Sequence, residues 1–222
     1  MIVDELVGRF TAASNVTLLG RSDGELVVYK PVAGNRPLWD FDVTTLAGRE
    51  VLTYEVAAAM GLDVVPRTVL GDGPLGPGAV QEYVDADETF DPLEPVEAVD
   101  PMLWPVAVLD LVANNADRKL GHLLRDRSTG ALRAIDHGLT FHADDKLRTV
   151  LWGFGGRELP GPLVDALRSL AAELASALGE RAAELVGPAH TAALAARVDG
   201  LVADPVHPEP PDDRPPLPWP PY

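Results

Sequence analysis

The 222-residue sequence contains no cysteine, which excludes disulfide staples and thiolate metal sites and leaves no pointer to an oxidising compartment. Basic residues are scarce: 18 Lys and Arg stand against 34 Asp and Glu, a formal net charge of −16. Nucleic acid is held by clustered Lys and Arg on its phosphates, so this balance argues against such a partner. An anionic membrane surface is disfavoured for the same reason. No apolar run approaches the roughly 20 residues that a membrane span requires. The opening Met1-Ile2-Val3-Asp4-Glu5 is acidic where a secretory leader would be basic. These absences predict a cytoplasmic protein without stable membrane insertion, kept in solution partly by its own charge.

What is present is enough apolar sequence for a core, with 46% hydrophobic residues. Residues 1–84 read as strand-rich with one helix. Val16–Leu19 and Leu26–Tyr29 are short β-type runs joined by the turn-forming Gly20-Arg21-Ser22-Asp23-Gly24. Thr45–Met60 has apolar residues at helical spacing, with Thr44 or Thr45 as N-cap and Gly61 at its end, which predicts a helix packed on that sheet. Val64–Leu70 and Ala79–Val84 read as two more strands about the turn 71–78. Residues 85–101 are acidic and carry proline with little periodicity, as expected of a lobe boundary or mobile connection. A second part over 85–203 is mainly helical: Leu103–Asn114, Leu163–Leu178 and Glu180–Ala203, enclosing a hairpin from Gly121–Leu124 and Leu132–Ile135. Proline dominates 204–222, which reads as an extended tail. Its Leu217, Trp219 and Tyr222 are candidate anchors for a docking partner or for the chain's own surface.

The densest cluster of chemistry-bearing residues is Asp117-Arg118-Lys119-Leu120-Gly121-His122, between the Leu103 helix and a hairpin whose far strand ends at Asp136-His137-Gly138. Phosphoryl transfer needs an aspartate to orient the attacking hydroxyl and accept its proton, with a metal ligand five positions later. Asp117 and His122 have that spacing. A second carboxylate, two residues before a glycine, must hold the metal that bridges the nucleotide phosphates, and Asp136 fits. Lys30, at the end of the strand Leu26–Tyr29, suits the α- and β-phosphates, with Glu50 as its helix-borne partner and Glu55 in reserve. Each of these residues has an ordinary turn, edge or helix-end role as well; their order along the chain distinguishes them. Ser14 and Asn15, in the small and polar stretch 11–15, are placed at a phosphate-covering loop, although the glycines of a typical one are missing. Gln81, Glu82 and Tyr83 are placed at the inter-lobe segment facing adenine, by position alone.

Tyr29-Lys30-Pro31, Gly48-Arg49-Glu50-Val51-Leu52-Thr53-Tyr54-Glu55 and Val64-Val65-Pro66 resemble the amino-terminal lobe of type II phosphatidylinositol 4-kinases. Asn115-Ala116-Asp117-Arg118 and Ile135-Asp136-His137-Gly138-Leu139-Thr140-Phe141 resemble that family's catalytic and metal-binding loops. HipA-type bacterial protein kinases share the general plan, and a small actinobacterial group related to phosphatidylinositol 3-/4-kinases is nearer still. The resemblance spans roughly residues 10–155. It implies an α+β, two-lobed protein-kinase-like fold with a strand-rich N-lobe and a mainly helical C-lobe, and an enzyme that uses ATP with Mg2+ or Mn2+ and phosphorylates a hydroxyl acceptor. Catalytic roles fall on Asp117, Lys30 and Glu50, and metal-binding roles on Asp136 and His122.

His122 departs from the family pattern, which has asparagine there; imidazole suits manganese better than magnesium. With His137 and His142 near by in sequence, a His/Asp transition-metal site is a further possibility. The charge ranks protein or small-molecule acceptors above phosphoinositide. The competing reading is a catalytically weak nucleotide-binding module that acts through its proline-rich tail.

Overall fold

The computed structural model describes residues 1–11 and 15–222. Five antiparallel strands form one sheet: β1 Glu5–Arg9, β2 Leu18–Ser22, β3 Glu25–Pro31, β4 Thr68–Gly73 and β5 Gly76–Glu82, in the order β1-β2-β3-β5-β4. Side chains alternate along β3. Val27 and Tyr29 enter a small core with Val3, Leu18 and Val80, which turns Lys30 to the opposite face.

The β2–β3 connection is tighter than the expected five-residue link. Only Asp23 and Gly24 form the turn, at φ 52° and 87°, as a two-residue hairpin of matching twist requires. Gly20 belongs to the strand because β1 crosses it closely; a Cβ there would lie 2.8 Å from the Glu5 carbonyl oxygen. The expected 71–78 turn contracts likewise to Pro74-Leu75, with Gly73 paired to Gly76.

Helix α1, Leu46–Ala59, has Thr45 at its N-cap position, as expected, but the Thr45 side chain makes no capping bond; the capping carboxylate is that of Asp42, which starts the preceding 3-10 turn and accepts the Thr44 amide at 2.9 Å. The helix touches the sheet, yet its apolar residues Val51, Leu52, Val56, Ala57 and Met60 join a larger core continuous with α3, Trp104–Ala113, and α4, Gly161–Leu174. One helix therefore serves both halves. The expected helix over 180–203 is two, α5 Ala177–Val186 and α6 Pro188–Ala203, because Gly187 at φ 93° followed by Pro188 breaks it.

Residues 85–101 are not a loose connection. They contain α2, Leu93–Glu97, and bury Phe90, Val96 and Val99 partly against the main core. The hairpin β6 Leu123–Arg125 and β7 Leu132–Ala134 turns about Asp126, whose carboxylate accepts from Ser128 and Thr129.

The tail folds back on the helical half. His207 is buried beside Trp104, Trp152 and Phe154. Trp152 Nε1 donates to the Pro216 carbonyl at 2.8 Å, the Leu120 amide to that of Pro221 at 2.9 Å, and Arg214 pairs with Asp145 at 2.7 Å. The expected anchors are reversed: Leu217, Trp219 and Tyr222 are exposed, while proline carbonyls and the buried Pro218 hold the segment. Among the described residues no helix is long and apolar enough to cross a membrane.

Gly48 lets α5 meet α1, since a Cβ there would stand 2.5 Å from the Leu185 carbonyl oxygen. Helix propensity favours Gly48→Ala by about 1 kcal/mol, whereas overpacking against backbone costs roughly 1–3 kcal/mol. Net destabilisation is expected, read as a thermal midpoint lowered by several degrees; a raised midpoint would show that the contact relaxes freely.

Candidate active site

Three charged groups from three elements meet between the sheet and the helical half. Lys30 on β3 donates to Glu50 on α1 and, at 3.0 Å, to Oδ1 of Asp136 just beyond β7. The second Glu50 oxygen accepts the His137 amide at 3.1 Å, so one buried carboxylate joins the lysine to the loop that carries Asp136. Glu55, the reserve partner, faces Arg181 of α5 at 3.4 Å and never reaches Lys30. Burial alone would depress the Lys30 ammonium, but Asp136 and Glu50 hold it above its ordinary value. Asp136 is held well below the carboxylate range by Lys30. Its backbone sits at φ 63°, a left-handed conformation that costs a non-glycine residue about 1–3 kcal/mol and that recurs at functional sites.

The loop before β6 is built on a buried ion pair. Helix α3 ends where Asn114 turns left-handed, at φ 50°. Arg118 then reaches back to Asp110 on that helix through contacts of 3.0–3.1 Å, and both side chains are almost wholly shielded from water. The same guanidinium donates to the Ile135 carbonyl at 2.9 Å and to His137 Nε2 at 2.8 Å. Asn115 and Thr149 complete the Asp110 shell, and the Asn115 side chain accepts the Asp117 amide at 3.0 Å. Asp117 is thereby held at the cleft, paired with Lys119 at 3.1 Å. Burial raises its carboxyl above the ordinary range against the pull of Lys119, a shift that favours a group meant to accept a proton near neutral pH. Asp110, Asn115 and Thr149 were not among the expected site residues. Asp110 has a legible signal, as the lone charge in the apolar run Leu103–Ala113; Thr149 has none.

His122 Nε2 lies 3.4 Å from the second Asp136 oxygen, and its Nδ1 accepts the Lys119 amide at 3.4 Å. Burial lowers its pKa to about 4, so the ring is neutral; with Nδ1 accepting, the ring proton lies on Nε2 and faces Asp136, and Nε2 can take a cation only once that proton moves to Nδ1. The Asp136 side chain, 52% exposed, is accessible to a divalent metal, and His122 would join it only in the tautomer that carries the ring proton on Nδ1. No three His, Asp or Glu side chains converge in a metal cluster among the described residues. The expected His/Asp transition-metal site with His137 and His142 is corrected accordingly: His137 serves Arg118, and His142 packs against Phe41 and His190.

Of the residues placed at the nucleotide, Ser14 lies outside the described residues, and the Asn15 side chain accepts the Arg36 amide at 2.9 Å. Gln81 is buried and donates to Thr68. The amides of Glu82 and Tyr83 bond to the Arg67 and Leu26 carbonyls, which commits them to the sheet.

No family model matches the chain. Among solved structures it resembles the Helicobacter pylori proinflammatory kinase CtkA, 13% identical with a TM-score of 0.60 over 93% of this chain and 95% of that one. It also resembles the Golgi casein kinase, 12% identical with a TM-score of 0.56 over 90% of this chain and 72% of that one. A second structure of that kinase, with Mn/ADP bound, gives 0.57. The fold is thus the two-lobed α+β fold of kinases. Across 97% of its length the chain is 38% identical to Protein Rv2133c of Mycobacterium tuberculosis, covering 91% of it, and it belongs to the family of that protein.

Two outcomes follow from the buried charges. Removing one partner of a buried ion pair costs about 3–5 kcal/mol, whereas an exposed pair is worth up to about 1 kcal/mol. Asp110→Ala should therefore destabilise far more than Asp165→Ala, which breaks the exposed Arg168 pair; urea denaturation measures both. Burial also lowers the pKa of His122, His137, His190 and His207. The unfolded chain then binds more protons below its histidine pKa of about 6.5, and stability is lost as pH falls through that value. The denaturation midpoint should drop from pH 7 to pH 4.5, and an unchanged midpoint would contradict this.

Proposed function

We propose that the protein is an ATP-dependent phosphotransferase that delivers the γ-phosphoryl group to a hydroxyl acceptor. The observation that carries this reading is Lys30 held between Glu50 of one lobe and Asp136 of the other, with Asp117 across the cleft. The motif resemblance to type II phosphatidylinositol 4-kinases and the kinase fold both support it. In this reading Lys30 steadies the α- and β-phosphates while Glu50 fixes its direction. Asp136 and His122 hold Mg2+ or Mn2+, and a neutral imidazole favours Mn2+. The metal supplies charge neutralisation at the phosphates. The 81–83 segment supplies a wall for adenine rather than amide hydrogen bonds, since the Glu82 and Tyr83 amides are bonded within the sheet. Asp117 accepts the acceptor's hydroxyl proton as its oxygen bonds to the γ-phosphorus, and the bond to the β–γ bridging oxygen breaks to release ADP. Positioning and electrostatics carry most of the rate.

The acceptor is a protein or a small molecule rather than a phosphoinositide, because a chain of net charge −16 is repelled by an anionic bilayer; the working compartment is the cytoplasm. One observation favours a second reading, a nucleotide-binding module with weak turnover: His122 stands where the type II phosphatidylinositol 4-kinase pattern that the chain resembles has asparagine.

Calorimetric titration with ATP and Mn2+, followed by transfer from γ-labelled ATP, separates the two. Asp136→Asn should abolish metal-dependent nucleotide binding. Asp117→Asn should bind nucleotide within about twofold of the parent and lose transfer by about 10²–10⁴-fold, the usual contribution of a positioned base. Transfer undiminished in Asp117→Asn defeats the assignment, and binding without turnover in the parent chain, with either metal, favours the module.

A further inference from the structure

A cavity of about 310 Å³ opens on the Asp117 side of the cleft. Its walls include Asp117, Asp40, Trp39, Arg148, Leu217 and Trp219, so it is shared between the segment before α1, the loop bearing Asp117, and the tail. Trp39 and Trp219 are 88% and 90% exposed. Large rings left in water cost free energy and contribute nothing to a core, and clustered exposed apolar surface marks a binding site.

Neither ring is loosely placed. Lys146 Nζ lies 5.0 Å from the centre of the Trp39 ring and 3.3 Å from Asp40, while its amide is bonded to Asn114. Trp219 sits between two bonded prolines: the Pro216 carbonyl accepts from the Thr149 amide and from Trp152, and the Pro221 carbonyl accepts from Leu120. Pro218 beside it is buried. The backbone that carries Trp219 is thus anchored beside the cavity, and Trp39 is held there by Lys146, which lowers the cost of presenting the two rings to a ligand.

Charge gives the cavity a sign. Each of its carboxylates has a lysine partner, Asp117 with Lys119 at 3.1 Å and Asp40 with Lys146 at 3.3 Å. The half-buried Arg148 guanidinium makes no hydrogen bond or ion pair among the described residues, although its backbone is bonded on both sides, to Asn115 and Arg118. One uncompensated cation thus remains in the wall of a strongly acidic protein, and a guanidinium is shaped to take a phosphate or carboxylate in two parallel hydrogen bonds.

We propose that this cavity is the acceptor site and that its ligand is a small anionic polyol of the sugar-phosphate class. Its C–H face lies against Trp39 and Trp219, its anionic group lies on Arg148, and one hydroxyl faces Asp117. The tail is then part of the active site, supplying one of the two aromatic walls. The role given to that hydroxyl rests on the phosphotransferase reading; the binding site does not.

Glucose 6-phosphate and glucose, titrated calorimetrically into the full chain without nucleotide, test the site. Glucose 6-phosphate should bind saturably and at least tenfold tighter than glucose. Arg148→Gln should reduce its affinity to that of glucose. Trp219→Ala, which removes a ring the fold does not bury, should weaken both sugars about tenfold, and Trp219→Phe should restore most of the loss. Vesicles of phosphatidylglycerol provide the lipid-borne source of the same chemistry, and the free sugar phosphate should displace the chain from any vesicles it binds. Absence of saturable glucose 6-phosphate binding, or binding unaffected by Arg148→Gln and Trp219→Ala, overturns the proposal. ATP binding that persists while the sugar phosphate fails leaves the phosphotransferase reading standing. Sugar-phosphate binding without ATP binding does the reverse.

Discussion

The Asp110–Arg118 ion pair organises everything near the cleft. A buried charge pair is tolerated only when its remaining hydrogen-bonding capacity is filled, and here the filling is what connects the elements. Asp110 draws in Asn115 and Thr149; Arg118 draws in the Ile135 carbonyl and His137. Asn115 sets Asp117 and Ile135 precedes Asp136, so the two candidate reactive carboxylates take their positions from opposite ends of one ion pair. The Thr149 segment passes the arrangement on, because its amide holds Pro216 and with it the tail. A lysine at position 118 would keep the charge but not the fork that reaches Asp110, Ile135 and His137 together.

Much of this was legible in the sequence, for identifiable reasons. Most strand and helix identities followed from periodicity, β1 and the short α2 excepted, and the order Lys30, Glu50, Asp117, Asp136 followed from what phosphoryl transfer requires. Errors gathered where glycine or proline has two meanings. Gly20, Gly71 and Gly78 look like turn residues but lie within strands, where neighbouring backbone comes too close for a Cβ. Gly187-Pro188 looks tolerable inside an alanine-rich helix but splits it. The tail failed for another reason. Apolar side chains normally mark what is buried, yet here prolines and backbone carbonyls make the attachment while Trp219 faces water. Arg148 was invisible, because an unpaired cation becomes conspicuous only once its neighbours are known to be paired.

His122 illustrates how environment decides the meaning of a substitution. On a surface its ring would titrate near neutrality; buried beside Arg118 and Lys119 it remains neutral, and its Nε2 points at Asp136. The departure from asparagine thus keeps a neutral side chain while exchanging an oxygen for a nitrogen that serves a metal only once the ring proton has moved to Nδ1. That exchange bears on metal preference, and it need not empty the position.

The double allegiance of α1 has a mechanical meaning. Its apolar face is continuous with α3 and α4, Gly48 rests on the Leu185 carbonyl, and Glu55 is tied to Arg181. The helix is shared between β4 and β5 on one side and α4 and α5 on the other, and residues 32–45, 60–67 and 83–85 are the strips that join the halves. Lys30 stands on the sheet and Glu50 on this shared helix, so any change in how the sheet sits on α1 would register first in their contact.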